Sequence, residues 1–107
     1  MQRKPALHQK RGDLRVLSAN LWRDRADRQA LVRQIEELEV DVMAVQELSP
    51  GLAGAISEVL PHGKLEPNPE CSGMGIALRR PGNVQRLSLR HRDARVVELL
   101  PGEWPDL

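Results

Sequence analysis

Two apolar runs, Leu14-Arg-Val-Leu-Ser-Ala-Asn20 and Val40-Asp-Val-Met-Ala-Val-Gln-Glu47, decide the reading of this chain. The first is short, mostly apolar and follows Gly12-Asp13, so it reads as a buried strand. The second is almost continuously apolar until it ends in Gln46 and Glu47. Such a run suits a strand covered on both faces, as in a β-α-β unit. Between them, Leu21 to Asp27 is polar and rich in Arg and Asp, and reads as a loop. Leu31, Ile35 and Leu38 then recur at i, i+4 and i+7, which predicts a helix from about Arg28 to Leu38. Asp27 or Asp24 is placed to cap its start. The interval from Leu14 to Glu47 matches one crossover unit.

Working outward, Ser49-Pro50-Gly51 offers a capping hydroxyl followed by proline at the first helical position. Leu52, Ala55, Ile56, Val59 and Leu60 form the expected apolar face, and Pro61-His62-Gly63 stops the helix. Lys64 to Ser72 reads as a loop held irregular by Pro67 and Pro69. Gly73 to Leu78 reads as a third strand. Pro81-Gly82-Asn83 is a turn, Val84 to Arg90 a strand, His91-Arg92-Asp93 a turn, and Ala94 to Leu100 a last strand. Pro101 to Pro105 continues neither strand nor helix. The order is β-α-β-α-β-β-β, an α/β fold bordering on α+β.

Length and composition set the class. The chain has 107 residues, enough for one small domain. Apolar residues make up 40% and charged residues 29%, as in a soluble globular protein. A net charge of +1 gives no strong field toward nucleic acid or an anionic membrane. Phe and Tyr are absent and there are two Trp residues, Trp22 and Trp104, too few for a platform that stacks a run of bases. Cys71 is the sole cysteine, which excludes an intramolecular disulfide and a Cys-based zinc site and fits a reducing, cytoplasmic setting. Met1 to Gly12 is polar and basic, with no apolar stretch of signal-peptide or membrane-spanning length. It reads as a solvated tail; its Arg3, Lys4, Lys10 and Arg11 are the alternative, a phosphate-attracting arm.

The chemistry gathers at two strand ends. In an open α/β sheet, ligands bind outside the carboxyl ends of the strands. Asn20 ends the first strand and Glu47 the second. If the strands are neighbours, an amide and a carboxylate emerge together after apolar runs. A single carboxylate there suits Mg²⁺, which takes oxygen ligands and completes its shell with water and phosphate. Asn20 can donate to phosphate or orient a metal-bound water. The bland readings are a solvated or helix-capping Glu47 and a turn-forming Asn20. Leu21-Trp22-Arg23-Asp24 has no glycine, which argues against a dinucleotide-binding loop. Arg23, Arg25 and Arg28 read as a solvated loop, and Trp22 as either a cleft wall or packing.

These runs resemble a known family. Leu14 to Trp22 is similar to the opening strand of the endonuclease/exonuclease/phosphatase superfamily, which ends in Asn. Asp41 to Glu47 resembles its second strand, ending in Gln-Glu, and Gly73 to Arg79 its following glycine-led strand. The resemblance spans residues 14–80. It implies a two-sheet sandwich flanked by helices, with 14–107 as the N-terminal part of the domain; residues 1–13, by composition, read as a disordered basic tail before it. It implies Glu47 as the metal carboxylate, Asn20 as the catalytic-site amide, and Mg²⁺ (or Mn²⁺) as cofactor. It also implies later motifs: a strand-end His, a Gly-Asp-x-Asn segment, and an Asp–His pair that activates water. None occurs in this sequence; His8, His62 and His91 precede a strand, follow a helix and occupy a turn. Without a general base, catalytic power should be largely lost.

The expected function is therefore a metal-dependent phosphoester hydrolase fragment, inactive alone. The alternatives are a non-catalytic binding or regulatory module, and one half of a split enzyme completed by another chain or by a homodimer. Substrates remain open among DNA, RNA, phospholipid and sugar phosphates.

Overall fold

A computed structural model of the chain describes residues 12–22, 25–90 and 92–105, apart from the Arg92 side chain. The basic tail with Arg3, Lys4, Lys10 and Arg11, and the positions of His8, Arg23, Asp24 and His91, lie outside the described residues. The elements are β1 (Val16–Asn20), α1 (Arg28–Glu37), β2 (Val42–Leu48), α2 (Pro50–Val59), β3 (His62–Glu66), β4 (Gly73–Leu78), β5 (Gly82–Leu89) and β6 (Arg92–Leu99). The fold is α/β, with a mixed four-stranded sheet in the order β1-β2-β4-β3 and a β5-β6 ribbon.

Three layers result. Both helices lie on one face of the sheet, where Leu31, Ile35, Leu52, Ala53 and Ile56 meet Met43, Val45, Leu48 and Ala77. The ribbon covers the other face, where Val84, Val97 and Leu99 pack with Val42, Ile76, Leu78 and Trp104. Ile35, Leu48, Leu52 and Ile56 are essentially solvent-free, each worth about 1.5–3 kcal/mol of burial.

Local chemistry fixes the element ends. The Asp27 carboxylate caps α1 by accepting from the Gln29 and Ala30 amides, and the Ser49 hydroxyl caps α2 by accepting from Leu52. At the end of α1, Glu39 donates to the Glu36 carbonyl and Val40 to that of Ile35. With Glu39 at φ 51 this is a Schellman stop, built without the usual glycine. Parallel pairing of β1 with β2 sets Val16 against Val42 and Asn20 against Gln46. An ionic clasp holds the far end of that pair. The Arg15 amide donates to Asp41 Oδ2 at 2.9 Å, Arg79 Nε to Asp41 Oδ1 at 3.1 Å, and Arg79 Nη2 to the Val40 carbonyl at 2.7 Å.

Several expectations need correction. There are six strands, not five: His62 to Glu66, read in large part as loop, pairs antiparallel with β4. Its single apolar residue, Leu65, hides it from any periodicity argument, and pairing supplies what propensity lacks. Strand β1 begins at Val16 and is an edge strand with one open face, not a buried one; Val16 is 60% exposed. Leu38 is the C-cap of α1 and largely exposed, because the Schellman turn swings it off the apolar stripe. Ala53 rather than Ala55 enters the core; Ala55 lines a groove between the helices. Strands β5 and β6 each begin two residues early, at Gly82 and Arg92, because ribbon pairing runs from Gly82–Leu99 to Leu89–Arg92. The segment after β6 is structural: Trp104 is buried and donates its Nε1–H to the Pro81 carbonyl at 2.8 Å.

Candidate functional site

The carboxyl ends of β1 and β2 lie side by side, with Asn20 in register with Gln46 and the Leu21 amide donating to the Gln46 carbonyl at 3.0 Å. Which way the side chains face follows from strand alternation. On β1, Leu17 and Ala19 pack toward the helices, so Val16, Ser18 and Asn20 take the opposite face. On β2, Met43 and Val45 face the helices and Val42 faces the ribbon layer. Strict alternation would send Glu47 to the helix face with Val45.

It does not, because β2 bulges. The pairing with β4 shifts between Gln46 and Leu48, and Leu48, not Glu47, returns to the helix core. Glu47 is the inserted residue, with left-handed backbone at φ 53. A bulge of this kind bends the strand and re-aims a side chain. By alternation Gln46 shares the face of its partner Asn20, and Glu47, the inserted residue, stays out of the helix core. Glu47 is half-buried, and among the described residues its carboxylate makes no hydrogen bond or ion pair.

The Asn20 side chain has a defined orientation. Its Oδ1 accepts from the Trp22 amide at 2.9 Å. The acceptor end is thus engaged, and the Nδ2 amino group is left as a two-proton donor. That end suits a phosphate oxygen or a water, not a metal ion. Beyond it, Trp22 is also left-handed, at φ 50, and Arg25 stacks over its ring at 4.8 Å.

As a metal centre the site is thin. One carboxylate, with water and phosphate making up the rest, is compatible with Mg²⁺. Among the described residues, however, no three His, Cys, Asp or Glu side chains are grouped to hold an ion. His62 is exposed at the start of β3, whose antiparallel pairing sets it opposite Leu78, at the end of the sheet away from Asn20. The acidic pair Glu39 and Asp41 sits at that same far end, engaged with Arg15 and Arg79. Ser49 serves as a cap. Sequence reading overlooked the bulge; its one legible sign is that two polar residues, Gln46 and Glu47, separate Val45 from Leu48 where alternation calls for one.

Among the described residues, no helix is long and apolar enough to cross a membrane. Comparison with known proteins finds no matching family model, no matching curated protein and no matching solved structure.

Proposed function

We propose that this chain carries part of a metal-dependent phosphoester-hydrolysing site, with Glu47 as the metal carboxylate and Asn20 as the amide that donates to phosphate. One observation carries the reading: a bulge and a left-handed backbone keep Glu47 out of the helix core and leave its carboxylate without a partner among the described residues, one residue beyond the Gln46 that pairs with Asn20. Left-handed backbone at a non-glycine residue costs energy and gathers at functional sites. Bound Mg²⁺ (or Mn²⁺) would polarise a phosphoryl oxygen. Asn20 Nδ2 would hold a second phosphate oxygen, fixed in place by the Oδ1 bond to Trp22. No histidine or second carboxylate among the described residues stands ready to activate water, so this chain alone binds without turnover.

A second reading is that another chain, or a second copy of this one, completes the site. The exposed outer face of β1, with Val16, Ser18 and Asn20 beside the site, favours it.

The test is NMR of the purified chain with Mn²⁺ and inorganic phosphate, beside a phosphodiesterase assay with Mg²⁺. Mn²⁺ should broaden the Asn20 side-chain amide and Glu47 signals first, and Glu47→Gln should remove the effect. Broadening centred on Asp41 and Glu39 instead would reject Glu47 as the ligand. Turnover that Glu47→Ala abolishes would show that the site is complete.

A further inference from the structure

We infer that Trp22, braced by Arg25, is a stacking platform for a single nucleobase, so that the ligand of the Asn20–Glu47 site is a nucleotide and not a sugar or lipid phosphate. The inference rests on the reading of Asn20 and Glu47 as a phosphate and metal site.

The two tryptophans behave oppositely. Trp104 is 5% exposed with its indole N–H satisfied, so the fold accounts for it. Trp22 is 65% exposed and contributes little to the core. Yet its backbone is firmly held. Leu21, immediately before it, is buried and bonded to Gln46; the Trp22 amide bonds to Asn20; and its carbonyl accepts from the Arg25 amide at 3.2 Å. Left-handed backbone is a marked outlier for so bulky a residue. A strained, pinned backbone that presents a large ring to water is the arrangement a stacking surface needs.

Arg25 completes the chemistry. Its guanidinium lies 4.8 Å from the indole centroid. A cation over an aromatic ring fixes the ring's orientation and adds a positive charge to the platform. A planar base can then lie on exposed indole while its phosphate meets Asn20 Nδ2. One ring accommodates one base. With a net charge of +1 there is no field to hold a long polyanion. Both facts select a mononucleotide over a nucleic-acid strand.

The experiment titrates the full chain, with Mg²⁺, with adenosine monophosphate, ribose phosphate, adenosine and a short single-stranded oligonucleotide. Binding is followed by calorimetry and by Trp emission, to which exposed Trp22 contributes at longer wavelength than buried Trp104. Adenosine monophosphate should quench the long-wavelength component and bind roughly tenfold more tightly than ribose phosphate. Trp22→Leu should erase that advantage, lowering adenosine monophosphate affinity far more than ribose phosphate affinity, with circular dichroism confirming an intact fold. Equal affinity for the two phosphates, each still dependent on Glu47, would overturn the platform while the phosphate site stands. Adenosine binding as tightly as its monophosphate, with no dependence on Mg²⁺ or Glu47, would overturn the phosphate site and the nucleotide assignment with it. An oligonucleotide that binds far more tightly than the mononucleotide would overturn the choice of a single nucleotide.

Discussion

Replacing Glu47 with glycine should make the protein more stable, and the size of the gain can be worked out. Glu47 holds a left-handed backbone at φ 53 inside the β2 bulge. For an L-residue that conformation costs about 1–2 kcal/mol. Glycine removes the cost, but its freer unfolded chain takes back about 0.5–1 kcal/mol. The half-buried carboxylate has no partner among the described residues, so its loss breaks no hydrogen bond there. The net expectation for Glu47→Gly is a gain of roughly 0.5–1 kcal/mol, or about 4 °C in Tm for a domain of this size. Glu47→Ala removes the carboxylate but keeps the backbone cost, so it should fall below the glycine variant by about 1 kcal/mol. Urea unfolding followed by circular dichroism, compared at equal m-values, measures both. Gly and Ala variants of equal stability would show that the backbone at Glu47 is not under strain. A glycine variant less stable than wild type by more than about 1 kcal/mol would mean that the carboxylate holds the bulge together, and Glu47 would lose its standing as a functional residue.

Two further predictions concern the frame around the site. A Cβ at Gly75 would meet the Lys64 carbonyl and the Leu65 backbone, so Gly75→Ala must push β3 away from β4; urea unfolding should show a loss of about 2 kcal/mol, in the middle of the usual range for overpacking. Asp41 is buried and receives bonds from the Arg15 amide and from Arg79, so Asp41→Leu should destabilise by about 3 kcal/mol, because it leaves the Arg79 guanidinium and the Arg15 amide short of their acceptor. An Asp41→Leu variant with wild-type stability in the same unfolding assay would mean that the clasp contributes nothing to holding β1 on β2.

The parts of this fold that were legible in sequence are those whose signal is local. The Leu31–Ile35 spacing, the Asp27 and Ser49 caps and the apolar β2 run each report one element without help from a partner. What was missed is set between elements. Strand β3 exists because β4 offers it an edge, and Gly63, Gly73 and Gly75 allow the two backbones to approach. Trp104 is core only because the ribbon folds back over Val42, Ile76 and Leu78. The one-sided exposure of β1 depends on how far the ribbon reaches, which its own sequence cannot say. For the site, Asn20 and Glu47 are legible as strand ends, but the release of Glu47 from the helix core depends on the register shift against β4. That shift is a property of two strands at once.

Left-handed backbone borders the candidate site on both sides of Asn20. Among the described residues, four that are not glycine have left-handed backbone: Trp22, Glu39, Glu47 and Cys71. Each has an architectural setting. Glu39 closes the Schellman turn that stops α1, and Cys71 sits in a tight turn where its amide donates to the Asn68 carbonyl. Glu47 takes left-handed backbone as the inserted residue of the β2 bulge, and Trp22 in the turn where its amide bonds to Asn20 and its carbonyl accepts from Arg25. No helix ends at either, and neither side chain is taken up by the core. Both flank Asn20: one through the neighbouring strand end, the other through the hydrogen bond to its side chain. Strain persists only where the surroundings enforce it, and here those surroundings are the bulge on one side and the pinned loop on the other. Under the proposed function, a shared ligand is what would use the two strained positions beside Asn20. The account has a specific consequence: glycine at Glu47 should stabilise the fold while abolishing Mn²⁺-dependent phosphate binding, so that stability and binding move in opposite directions at one position.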